Sequence, residues 1–332
     1  MKKKEYVNLL IILLLLGFSY YRYVHHQVTR SRTEFILDTF IEISITGNEK
    51  TIEKYFTEAF LMIKDYERQL SYFDTASVLY HINHSKVDSM LIDASLYSIL
   101  ESANKVYLAT QGLYDVGIGT LIDLWDFEQE IIPEEEKIQK IVSELGFSQV
   151  TFTPNYLVLP SHLKLNLNSL CKGYIVDQVI DFLARCKVHE AIVNAGGDLR
   201  FYSSTPRTWK LGIRHPREQI DTIITLNIPE LAVATSGDYE KYFYRAGKRY
   251  HHILNPQTGY PSENAISATV FSSSALLADA LSTAALVMEP YSAITMIKSF
   301  PDTEAIIYYY DEQAELVSLR TNKIKEWLIG ED

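Results

Sequence analysis

The sequence predicts an α+β domain with mixed sheets and packed helices, preceded by one N-terminal transmembrane or signal-anchor segment. Three observations carry this expectation. Short alternating stretches recur along most of the chain. Helical periodicity appears between them without a regular strand–helix–strand alternation. The first residues set lysines in front of an apolar run, which is how an exported chain begins.

The chain has 332 residues, 47% of them hydrophobic and 22% charged, ordinary values for a folded globular protein. Its formal net charge of -11 argues against a nucleic-acid partner. The two cysteines, Cys171 and Cys186, show no metal-binding spacing. In an oxidising compartment a disulfide between them stays open as an alternative.

Residues 1–23 form the anchor or signal peptide. Lys2, Lys3 and Lys4 precede an apolar run from residue 7 to residue 18, and Tyr20 and Tyr21 follow it. Neither a small-residue cleavage site nor a lipid-attachment cysteine comes next, and tyrosines at the outer end suit the membrane interface. An uncleaved anchor in the cell membrane, with an extracytoplasmic domain, is therefore favoured over a cleaved peptide. Residues 24–32 read as a polar juxtamembrane linker, and residues 33–332 as the domain.

Within the domain, residues 35–45 alternate as a strand and residues 51–70 follow with helical spacing. A second helix covers 94–110 and ends at Gly112. Pro133 and the glutamates after it open a helix within 131–145. Short strands are expected at 149–152, 156–159 and 164–167, then a helix at 174–184 and a buried strand at 191–194. Strands at 209–214, 222–228, 232–235 and 265–271 precede a small-residue helix at 274–288. Strands at 305–310 and 316–319 close the domain.

Four stretches carry possible chemistry. Residues 166–174 run from a strand end into a helix start beside Lys172, a place where freed backbone groups meet anions. Residues 191–198 break from an apolar strand into Gly196-Gly197-Asp198, which permits close backbone approach or makes a simple tight turn. Residues 232–239 are followed by His251-His252 and the Asn255–Gly259 turn, and an isolated histidine pair is more often structural. Last, Asp279 and Thr283 are four apart, hence on one helix face, amid alanine, serine and leucine. Both offer hard oxygen, which magnesium prefers, although a simple buried hydrogen bond would use the same spacing.

Taken in order, these stretches resemble the ApbE family of FAD:protein FMN transferases. The resemblance rests on eight segments. They are Thr33 to Thr39, Leu70-Ser71-Tyr72-Phe73, Gly112 to Leu121, Asn166 to Tyr174, Asn194 to Asp198, Ala234 to Tyr239, His252 to Pro261, and Ala278 to Thr283. It implies a single ApbE-like domain that uses FAD as substrate, with contacts from Tyr72, Tyr114, Asp115, Val116, Asn166, Lys172 and Ile253. It implies Mg2+ held by Asp279, Thr283 and the backbone carbonyl of Ser169. A serine or threonine hydroxyl of an exported or membrane flavoprotein would attack the FMN-side phosphorus, with release of AMP. Asp279 and His252 are the expected catalytic residues, His252 as base, with Asp198 and Asp238 as lesser candidates for that role. Asn166 stands where the family usually carries aspartate, and Leu37-Asp38 where it carries methionine and glycine. The alternatives are a Mg2+-dependent FAD pyrophosphatase and a non-catalytic FAD-binding protein.

Overall fold

The computed structural model describes Tyr6 and residues 11–17, 26–87, 89–218 and 222–330. Most of the expected anchor lies outside these residues; among them, no helix is long and apolar enough to cross a membrane.

The centre of the domain is an eight-stranded sheet. Its strands are β1 (Gln27–Ile36), β2 (Thr39–Asn48), β3 (Glu190–Ala195), β4 (Asp198–Ser203), β5 (Ala232–Gly237), β6 (Ser267–Ser272), β7 (Glu304–Tyr310) and β8 (Leu316–Arg320). They lie in chain order across the sheet, and every neighbouring pair is antiparallel. The mixing is thus between helices and strands, not between strand directions. Helices are inserted between the strands: α1 (Glu49–Leu70), α2 (Ala94–Ala109), α3 (Asn168–Arg185) and α4 (Ala275–Val287).

Period-two alternation gives the sheet two buried faces. One carries Ile41, Ile43, Val193, Ala234 and Val270 into the core shared with the four helices. The other carries Phe201, Val233, Phe271 and Ile306 against the hairpin Trp209–Arg214/Thr222–Ile228. A third cluster, with Leu121, Trp125, Ile138, Phe243 and Leu254, forms a wall beside the sheet.

Three sequence expectations change. Residues 27–32, expected as linker, belong to β1, whose register with β2 runs from Gln27↔Asn48 to Ile36↔Thr39. The single strand expected at 35–45 is two strands, reversing at Leu37 (φ 59°) and Asp38 (φ 55°). No strand forms at 164–167, where only an isolated parallel bridge joins Lys164 to Ile118. Instead the Asn83 side chain accepts from Leu165 N and donates to Leu165 O, both at 2.8 Å, so one side-chain amide replaces a neighbouring strand.

Cys171 and Cys186 are free. They sit at opposite ends of α3, and a rise of about 1.5 Å per residue separates them far beyond disulfide reach.

Candidate active site

One cavity of about 860 Å³ opens where the first turn of α3, the face of α4, the end of β5, the loop at 113–118 and the turn after His252 converge. It brings Tyr114, Asp115, Asn166, Ser169, Lys172, His252, Ile253, Asp279 and Thr283 into one lining. Tyr72 and Val116 are buried outside it. Tyr72 Oη lies 2.8 Å from Asp123 Oδ1 and 3.0 Å from Gly119 O, so its one proton is held between two acceptors, and its neighbour Phe73 takes the lining position. Val116 acts through its carbonyl, which accepts from Asn166 N at 2.7 Å.

The meeting of α3 and α4 fixes the polar end. A Cβ on Gly173 would stand 2.2 Å from Ala275 O, so glycine is required for this helix crossing. Asp177, on the same helix, caps the start of α4. Its carboxylate accepts from Ala275 N (2.9 Å), Leu276 N (3.0 Å) and Ser274 Oγ (2.7 Å) and pairs with Arg200. Sequence reasoning gave Asp177 no role, because nothing local marks a mid-helix aspartate as the cap of another helix.

Asp279 is 4% exposed and accepts one hydrogen bond, from Gly173 N to Oδ2 at 3.2 Å. Burial, then the charge of Asp198, pushes its carboxyl above the ordinary carboxylate range, against the pull of Lys172. Lys172 Nζ lies 2.8 Å from Asp198 Oδ2. This is an ion pair by distance whose alignment leaves Oδ2 without a hydrogen-bond partner. The Asp198 charge holds the ammonium above its usual range. Thr283 Oγ1 lies 3.1 Å from Ser236 Oγ.

Among the described residues no group of three His, Cys, Asp or Glu side chains could hold a metal. A magnesium ion does not need one. It takes one or two carboxylates with neutral oxygens, waters and substrate phosphates. The donor set here fits that chemistry: a buried carboxyl with a single hydrogen bond, the Thr283 hydroxyl and, as a third oxygen, the Ser169 backbone carbonyl are on residues that line one cavity.

The adjacent histidines divide the work. His251 Nε2 donates to Ser262 O at 2.6 Å, and its Nδ1 accepts from Ile253 N, so this ring organises the turn. His252 lines the cavity, and its Nδ1 lies 3.3 Å from Lys241 O. A carbonyl only accepts, which places the proton on Nδ1 and leaves Nε2 as the basic nitrogen. Burial, then the neighbouring His251, lowers its pKa to about 4.

Asp115 organises its loop by accepting from Gly117 N (2.7 Å) and Phe147 N (3.1 Å). Asn166 Oδ1 accepts from Asn168 N at 3.1 Å, a turn-closing bond that an amide makes without a charge. Tyr114 Oη meets Ser169 Oγ at 2.9 Å. Asp238 is taken up by a two-bond pair with Arg217 and a third bond from Arg249. The cavity also includes Leu37, Phe73, Asp123 and Ser236, which the sequence did not single out as site residues. For Ser236 the signal was present, in the stretch Ala234-Thr235-Ser236-Gly237 at a strand end.

An antiparallel α+β domain with an open cleft that holds a buried, singly hydrogen-bonded carboxyl and a neutral imidazole is built as an enzyme site rather than a structural core. The chain belongs to the ApbE family, whose model matches residues 37–307. The FAD:protein FMN transferase of Treponema pallidum (strain Nichols) is 26% identical over 308 residues, covering 85% of this chain and 85% of that protein. That of Haemophilus influenzae is 30% identical over 257 residues, 72% of this chain and 73% of that protein. The crystal structure of the ApbE protein from Thermotoga maritima matches with a TM-score of 0.82 at 28% identity, covering 91% of this chain and 100% of that one.

Proposed function

We propose that this chain is a magnesium-dependent FAD:protein FMN transferase acting on a serine or threonine of an exported or membrane flavoprotein. The observation that carries the reading is the convergence of Asp279, Thr283, Ser169, Lys172 and His252 on one cavity of about 860 Å³, a volume suited to a dinucleotide. Family membership and the names of the relatives support it.

The acceptor hydroxyl oxygen bonds to the FMN-side phosphorus as the bridging P–O bond to AMP breaks. His252 Nε2 takes the hydroxyl proton, and AMP leaves carrying the bridging oxygen. Lys172 is oriented by Asp198 toward the polar end, where a dinucleotide pyrophosphate brings negative charge. Asp279, Thr283 and the Ser169 carbonyl would hold the magnesium ion, which supplies charge neutralisation and Lewis-acid polarisation at the pyrophosphate. Leu37, Phe73 and Ile253 supply apolar lining for the flavin. Lys2, Lys3, Lys4 and the apolar run after them support an extracytoplasmic domain held at the cell membrane.

The test is incubation with FAD, Mg2+ and a peptide carrying an acceptor threonine, read by mass and in-gel flavin fluorescence. A covalent FMN adduct with an equal amount of AMP is expected, lost on chelation and in Asp279→Ala. Release of AMP without any acceptor would make the chain a pyrophosphatase. FAD binding without AMP release under every metal condition would make it a binding protein.

A further inference from the structure

The hydroxyl groups of Thr283 and Ser236, which line the cavity, and of Ser282 form a chain whose direction can be deduced. Ser282 Oγ lies 2.9 Å from the Asp279 carbonyl oxygen. The carbonyl has no proton, so the single proton of Ser282 is committed there. Ser282 Oγ also lies 2.8 Å from Ser236 Oγ, and with its own proton engaged it can only accept. Ser236 therefore donates, and at its 3.1 Å contact with Thr283 Oγ1 it must accept in turn. The order is Thr283 to Ser236 to Ser282 to the Asp279 carbonyl. Ser282 is fully buried, so bulk water does not compete for its proton.

We infer that Ser236, on β5, is a positioning residue of the cation site: it draws the Thr283 proton backward and leaves only lone pairs of Oγ1 to face the cavity. The inference rests on the magnesium reading above and deepens it. A hydroxyl free to rotate presents its proton to a cation part of the time, whereas one with its proton tied back is a fixed ligand. The strand thus tunes a helix-borne ligand it does not replace, as partners of metal ligands generally do.

The test is Mn2+ binding, followed by the loss of the free-ion electron paramagnetic resonance signal, in the presence and absence of FAD. Ser236→Ala is expected to weaken Mn2+ binding roughly tenfold, the low end for loss of such a partner. Ser236→Thr, which keeps the hydroxyl, is expected to restore it to within a few-fold. Ser282→Ala breaks the chain one step further back and is expected to weaken binding less, since Ser236 then chooses between two directions. Circular dichroism and melting temperature check that each variant is folded. Parental affinity in folded Ser236→Ala overturns the inference, whatever Ser282→Ala does, and leaves the magnesium reading intact. Absence of Mn2+ binding by the parent protein overturns both.

Discussion

The Gly173 amide donates to Asp279 Oδ2 over 3.2 Å, and the same glycine is what allows its helix to approach the helix of Asp279. The regular helical acceptor of that amide is the carbonyl of Ser169, four residues earlier. The contact with Asp279 offsets only part of the cost of burying this carboxyl, which desolvation and the Asp198 charge bias toward its protonated form.

Gly173→Ala should destabilise the domain by about 3 kcal/mol, the upper end for overpacking, because the clash is with the backbone of Ala275 rather than a flexible side chain. Urea unfolding measures this. A loss below about 0.5 kcal/mol, the range of a neutral surface change, would show that the helix crossing does not need glycine.

Lys172→Met should destabilise by about 3 kcal/mol, since it leaves the Asp198 carboxylate, 2% exposed, without its cation. This is the low end for a broken buried pair, because the ammonium itself keeps 34% exposure. The double variant Lys172→Met/Asp198→Asn should recover much of the loss while still binding FAD poorly. If the single variant is as stable as the parent, the ion pair is not what holds Asp198.

The helices and most strands were legible because their periodicity is strong and their faces bury cleanly. The reversal at Leu37-Asp38 was not. Alternation runs on through Phe35, Leu37, Thr39 and Ile41, and the turn lacks the Asn-Gly or Asp-Gly pair that usually marks two left-handed residues in succession. The hairpin Tyr242–Arg245/Lys248–His251 was missed for a related reason: its turn at Ala246 (φ 53°) and Gly247 (φ 79°) has alanine where asparagine or aspartate usually precedes the glycine. Residues 164–167 looked like a strand because apolar Leu165 and Leu167 alternate with Lys164 and Asn166, and both leucines are buried. A side-chain amide from Asn83, distant in sequence, supplies the pairing that alternation alone cannot distinguish from a ladder. At the site, Asp279 and Thr283 could be placed on one face from spacing, but the roles of Asp177 and Ser236 depend on which elements meet.

Without metal, Asp279 should make the protein less stable as pH rises. Its carboxyl in the folded state keeps a proton to higher pH than the ordinary value of 3.8. The folded state thus binds more protons than the unfolded chain above that pH, and stability falls through the interval. A cation favours the ionised form, so the rise in melting temperature on adding Mg2+ should be larger at pH 8 than at pH 5. Asp279→Asn should flatten the pH dependence and abolish the Mg2+ effect. An identical Mg2+ shift in that variant would remove Asp279 from the cation site.

His252 should set the acid side of the activity profile. Its folded pKa of about 4 lies below the ordinary 6.5, so the neutral ring persists well into mildly acidic solution. By the same linkage, its contribution to stability is complete above pH 6.5 and is lost as pH falls toward 4, where the folded ring also takes up a proton. The acid limb of kcat/KM, which reports the free enzyme, should accordingly fall nearer pH 4 than 6.5. His252→Ala should lower kcat by about 10²- to 10⁴-fold, the usual contribution of a positioned base, and leave FAD affinity within a few-fold. The two parts of this prediction answer different questions. An effect confined to KM would mean that the ring binds substrate without moving a proton. A lost kcat with the kcat/KM limb near 4 but the kcat limb near 6.5 would mean that it is the base and that bound substrate undoes the desolvation.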